Sequence, residues 1–155
     1  MDLGKAASTA GITHVVWIPD SSLGRWAAAL ERTPGLRLLR VAREGEAWAL
    51  ALGLYATGAR PLVVMQCTGL YESGDSLRNA VLDYGAPLVG LIGVRNATTG
   101  ASDSAASLAE PFLRAFHLPY RWLEPGDDFS ALTAMVDEAN RLRRAEIFLY
   151  PEGPA

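Results

Sequence analysis

Glu44 sits in the run Arg43-Glu44-Gly45-Glu46-Ala47, at the start of a segment that reads as a helix. A carboxyl at such a place can hold or pass a proton. It can also do no more than favour the positive end of the helix dipole. Glu46 offers the same group two residues on. Asp20 and Ser21 follow Pro19 in a loop after a strand-like run. They could orient a substrate or relay a proton, and they serve equally well as helix caps. Cys67-Thr68-Gly69-Leu70 brings together a thiol, a hydroxyl and a glycine that lets another group come close to the backbone. No activating base stands near Cys67, so it reads as a small buried hydrophobe rather than a nucleophile. Arg95 could pair its planar guanidinium with a carboxylate, sulfonate or phosphonate. A surface or subunit contact is the modestly favoured alternative.

Other chemistries lack their residues. His14 and His117 are isolated, with no Cys, Asp or Glu at metal-ligand spacing, so no metal site is expected on this chain. There is no Gly-x-Ser-x-Gly nucleophile turn, and no Gly-x-Gly-x-x-Gly follows a strand. The net charge of −3 comes without a long block of one sign, which gives nucleic-acid binding no electrostatic support. No apolar stretch reaches the roughly 18 residues needed to span a bilayer. Residues 1–10 carry Asp2 and Lys5 and lack a long apolar run, so they do not read as a signal peptide. The single cysteine excludes an internal disulfide framework and fits a reducing compartment. The expectation is a soluble, cytoplasmic protein bound to neither nucleic acid nor membrane.

The elements that must position these residues alternate in type. Strands are predicted over 13–18, 36–41, 61–66, 88–94, 120–123 and 146–150. Helices are predicted over 23–32, 43–57, 75–84, 108–117 and 129–143. Residues 67–74 and 96–107 read as loops. Strands alternating with helices argue for parallel pairing, and continuous apolar strands suit a sheet covered on both faces. The predicted fold class is α/β: three layers, α/β/α, around a mainly parallel six-stranded sheet. The 155 residues make one domain, with half of them hydrophobic to supply its core. In such a sheet ligands gather at the carboxyl ends of the strands. Pro19-Asp20-Ser21, Arg43-Glu44, Cys67-Thr68-Gly69 and Arg95 all fall there.

Nine residues after Glu44 comes Gly53-Leu54-Tyr55-Ala56-Thr57-Gly58. In that spacing the chain resembles the pyrimidine-binding domain of thiamine-diphosphate enzymes, whose helix begins on a glutamate and ends in a similar Gly-x-x-x-x-Gly. Ile18-Pro19-Asp20-Ser21, Met65-Gln66-Cys67-Thr68-Gly69-Leu70 and Phe116-His117-Leu118-Pro119-Tyr120 match in order. The nearest look-alikes are the alpha subunit of sulfopyruvate decarboxylase and the amino-terminal domain of phosphonopyruvate decarboxylase. The resemblance implies that Glu44 is catalytic. Thiamine diphosphate becomes reactive when its 4'-amino group takes the imino form, and a carboxyl against the pyrimidine N1' promotes that form. It implies cofactor contacts from Glu44, Pro19, Thr68, Gly69 and Leu70, and substrate contacts from Asp20, Ser21 and Arg95. Glu46 lies seven residues from Gly53 rather than nine, which makes it a decoy. Two departures stand out. Relatives usually carry Asn-Ser-Gly where this chain has Cys67-Thr68-Gly69, and there are two extra residues around Tyr71-Glu72-Ser73.

The same resemblance implies a division of labour. The family holds the diphosphate through Mg²⁺ on a second domain whose signature begins Gly-Asp-Gly. Gly74-Asp75-Ser76 and Gly126-Asp127-Asp128 lack its third glycine and read as loop-to-helix turns. A beta-type partner subunit with the diphosphate- and Mg²⁺-binding domain is therefore expected, in a hetero-oligomer that also self-associates. The activity implied is decarboxylation of a small anionic 2-oxo acid. A carboligase subunit shares the first half of that chemistry. A non-catalytic α/β partner is a further reading, against which the retained Glu44 argues.

Overall fold

The computed structural model describes residues 1–20, 23–100, 102–124 and 129–153. Six strands form one sheet: β1 (His14–Trp17), β2 (Arg37–Arg40), β3 (Pro61–Gln66), β4 (Val89–Val94), β5 (Tyr120–Trp122) and β6 (Glu146–Pro151). Their order is β2-β1-β3-β4-β6-β5, and every neighbouring pair is parallel. Parallel neighbours need crossover connections, which the helices supply. These are α1 (Leu3–Thr9), α2 (Ala27–Arg32), α3 (Glu44–Ala56), α4 (Cys67–Glu72), α5 (Gly74–Arg78), α6 (Ser104–Ala115) and α7 (Leu132–Leu142).

Side chains of a strand alternate between faces, and here each face meets its own helix layer. Val15, Leu62, Val64, Leu91 and Phe148 pack with residues of α1, α2 and α7. Val16, Val63, Met65, Ile92 and Leu149 pack with residues of α3 to α6. The fold is therefore three layers, α/β/α. Residues Pro61 to Met65 of β3 are all buried, which is why that strand reads as an unbroken apolar run. The outer strands β2 and β5 are short and carry Arg37, Arg40 and Arg121, charges that discourage further strand pairing.

All six predicted strands are present, with ends shifted by a residue or so. The helices differ more. Helix α1 was absent from the sequence reading. It is capped by Asp2, whose Oδ1 accepts from the Lys5 N–H at 2.9 Å. Its Gly4 lies against α2, where a Cβ would come within 2.9 Å of the Ala29 carbonyl oxygen. That glycine marks close helix packing rather than a break. The expected loop at 67–74 is largely helical, because α4 starts directly after β3. The expected helix 75–84 is α5 followed by a π turn over Asn79–Asp83. Helix α6 begins at Ser104, earlier than predicted, where the Asp103 side chain caps the Ala105 N–H at 2.9 Å. No helix among the described residues is long and apolar enough to cross a membrane.

Candidate functional site

The carboxyl ends of the strands bring Asp20, Glu44, the start of α4, Arg95 and Glu152 to one edge of the sheet. Strand β2 leads into α3 and β3 leads into α4, so two helix starts stand side by side there. Glu44 opens α3 and is half-buried. Its side chain lies against Gly69 of α4. A Cβ on Gly69 would stand 2.4 Å from Glu44 Cγ and 2.8 Å from Glu44 Oε1. The sequence suggested that Gly69 opens the backbone to a ring. Instead, the space left by the missing side chain is filled by Glu44 itself.

Three carboxylates surround this helix start, and two of them are committed to holding it. Glu46 Oε2 accepts from the backbone N–H of Ala42 at 3.1 Å and of Arg43 at 3.3 Å. That is the reach-back half of a capping box. Glu72 accepts from the Gly45 N–H and from the Arg43 guanidinium, both at 3.0 Å. The Glu44 carboxylate takes no hydrogen bond or ion pair among the described residues. Of the three it is the one without such a bond, while Glu46 caps its own helix.

The other candidates divide. Pro19 is exposed at the end of β1, and Asp20 is half-buried with Oδ1 accepting from the Leu23 N–H at 2.7 Å. That bond is the helix-cap role weighed for Asp20. Ser21 lies outside the described residues. Thr68 is exposed and donates to Gln66 Oε1 at 3.3 Å. Leu70 is fully buried in the core, leaving only its backbone to meet a ligand. Cys67 is buried too, and burial pushes its thiol pKa up, in keeping with an inert residue. Arg95 Nε donates to Asp103 Oδ2 at 3.2 Å, and Asn96 Nδ2 donates to the same oxygen at 2.8 Å. The Asn96 and Arg95 bonds hold the Asp103 carboxyl below its ordinary pKa. Arg95 thus spends part of its guanidinium on this loop. His14 is far from this edge, at the amino end of β1, where Thr13 Oγ1 lies 2.8 Å from its Nδ1.

The sequence reading did not single out Glu152. It follows β6, is 2% exposed, and accepts from Gln66 Nε2 at 3.2 Å. It packs against Gly93 of β4, where a Cβ would stand 2.2 Å from Glu152 Oε1. A buried carboxylate needs partners to offset lost hydration. Gly93 makes room for it and Gln66 supplies one bond. Glu152 and Gln66 lie 86 residues apart in the chain, and Glu152 belongs to none of the segments singled out in the sequence. The only hint was a glutamate straight after a strand. Among the described residues, no group of three or more His, Cys, Asp and Glu side chains is placed to hold a metal ion.

No family model matches the sequence, and no curated protein matches it. Solved structures do. A 2-oxoglutarate:ferredoxin oxidoreductase from Magnetococcus marinus, with 2-oxoglutarate, coenzyme A and succinyl-CoA bound, matches at TM-score 0.76 and 17% identity. A candidate thiamin diphosphate-dependent enzyme from Mycobacterium smegmatis matches at TM-score 0.67 and 18% identity. The fold is the one these two proteins share. The matches cover 96% and 97% of this chain, but only 27% and 30% of theirs. At such identity the likeness establishes the α/β fold, and the site residues must carry the function.

Proposed function

We propose that this chain is the pyrimidine-binding component of a thiamine-diphosphate-dependent enzyme that decarboxylates a small anionic 2-oxo acid. The observation that carries the reading is the Glu44 carboxylate, half-buried against Gly69 and without a hydrogen-bond or ion-pair partner among the described residues, while Glu46 and Glu72 hold its helix. The donor set suits an aminopyrimidine ring: a carboxyl for the ring nitrogen N1', with the Thr68 hydroxyl and the α4 backbone beside it. Thiamine diphosphate, when bound, supplies the carbanion chemistry that decarboxylation needs. Glu44 holds the proton shared with N1'. Tyr71 of α4 packs against Phe112 of α6 and donates to the Ala105 carbonyl, and burial raises its phenol pKa, so it stays neutral structure. The 2-oxoglutarate of the first structural neighbour is itself a 2-oxo acid, which supports the substrate class.

The diphosphate and its Mg²⁺ would be held by a beta-type partner subunit. Asp75 of Gly74-Asp75-Ser76 is already paired with Arg78 at 3.0 Å on the surface. Self-association is part of the proposal and is supported by α3. That helix is apolar nearly all round, yet it buries only Ala47, Trp48 and Ala51 and leaves Ala49, Leu50 and Gly53 exposed.

The test is deuterium exchange at the thiamine C2 in the complex with the partner subunit, Mg²⁺ present. Glu44→Gln keeps the size and removes the acid. Exchange and turnover should fall by about 10²- to 10⁴-fold. An exchange rate equal to wild type would sink the assignment. Products formed from pyruvate, with and without an acceptor aldehyde, separate a decarboxylase from a carboligase.

A further inference from the structure

One face of α4 grips the first turn of α3 at consecutive residues. Gly69 and Glu72 are three apart in α4 and so share a face. Gly69 makes room for the Glu44 side chain. Glu72 takes the residues on either side of it, accepting from the Arg43 guanidinium and from the Gly45 N–H, both at 3.0 Å. The Gly45 N–H is one of the donors that a helix start leaves without an intrahelical partner. One turn further along, Ser73 Oγ accepts from Trp48 Nε1 at 3.0 Å and donates to the Leu70 carbonyl at 3.0 Å. Trp48 and Ser73 are both buried, and Trp48 lies four residues beyond Glu44, on the same side of α3. The two helices are therefore joined by two rungs, with Glu44 at the outer one.

We infer that Glu72 is a positioning residue for Glu44. This rests on the reading of Glu44 above. Glu72 holds the backbone N–H of Gly45 just after Glu44 and the Arg43 guanidinium just before it, so the carboxyl emerges past Gly69 at a set angle and depth. Glu72 and Ser73, adjacent in the chain, supply the two rungs. A carboxyl that must meet one ring nitrogen needs this restraint, since a displacement of about 1 Å at a reacting group can cost on the order of 10²-fold.

The experiment compares Glu72→Ala, Glu72→Gln and wild type by two readouts. The first is hydrogen exchange of the Gly45 amide in the ¹⁵N-labelled chain. The second is deuterium exchange at the thiamine C2 in the complex with the partner subunit, with Mg²⁺. Glu72→Ala should expose the Gly45 amide and slow C2 exchange roughly tenfold, with cofactor affinity little changed. Glu72→Gln keeps an acceptor oxygen for Gly45 and should restore most of both. A merely structural Glu72 would lower the melting temperature and leave C2 exchange alone, and that result overturns the inference. So does a Gly45 amide equally protected in Glu72→Ala. If Glu44→Gln itself exchanges C2 like wild type, the cofactor reading fails. The Gly45 amide then decides on its own whether Glu72 holds the turn.

Discussion

Among the carboxylates at the start of α3, Glu46 and Glu72 accept from backbone N–H groups and Glu44 does not, which is the basis of the role proposed for it. Gly69→Ala tests this without touching an acid. Its Cβ would meet Glu44 Cγ at 2.4 Å, so the glutamate must swing away. C2 exchange in the assembled enzyme should fall by roughly 10- to 100-fold, as expected for a displaced catalytic group. Glu46→Gln is the control. It keeps an acceptor oxygen for the Ala42 and Arg43 N–H groups, so stability and exchange should both stay near wild type, as a thermal melt and an exchange assay together would show. If Glu46→Gln is the crippled variant, the register of the site is off by two residues. Asp103 adds a pH dependence. Its pKa is depressed by the Asn96 and Arg95 bonds, so its contribution is present above the ordinary carboxylate pKa and is lost as pH falls through the folded value. The stability gap between wild type and Asp103→Asn should therefore narrow as pH drops below about 4. Denaturant melts at several pH values would show it, and a constant gap would count against the pairing.

At the scale of elements, the strand ends are cut to fit the groups that sit on them. Gly93 of β4 leaves the space that Glu152 occupies. Gly93→Ala would push a Cβ to 2.2 Å from Glu152 Oε1 and 2.9 Å from Leu23 Cδ2. Strand β4 is buried along its whole length and has little room to yield. We expect a loss of about 1–3 kcal/mol, typical of overpacking, read as a lower urea midpoint with an unchanged slope. A variant as stable as wild type would mean that Glu152 moves freely, and the tight fit at this edge would be refuted. The helices show why elements were harder to read than strands. Strands β3 and β4 are continuous apolar runs because both their faces are covered. Helix α4 is six residues long and contains Gly69, so it has neither the length nor the periodicity that marks a helix. Helix α1 has only seven residues and contains Gly4, which packs against α2.

At the scale of the molecule, the proposed function divides the cofactor site between two chains. The Mg²⁺ and the diphosphate are assigned in this proposal to the partner subunit. The chain by itself should bind thiamine diphosphate only weakly, and calorimetric titration with Mg²⁺ should show gain of affinity when the partner subunit is added. Submicromolar binding by the chain alone would refute the proposed division of the site. From the sequence alone came the alternation of strands and helices, the six strands, the parallel layered fold and the edge at which Glu44, Asp20, Thr68 and Arg95 would meet. These follow from local periodicity and turn residues, which neighbouring positions in the chain encode. Tertiary structure alone decided which carboxylate is available. Glu46 is engaged by its own helix start, Glu72 reaches across from α4, and Glu152 is buried beside Gln66. Those pairings join residues up to 86 positions apart. No local pattern records the Glu72 and Glu152 pairings, because a hydrogen bond depends on distance in space and not on separation along the chain.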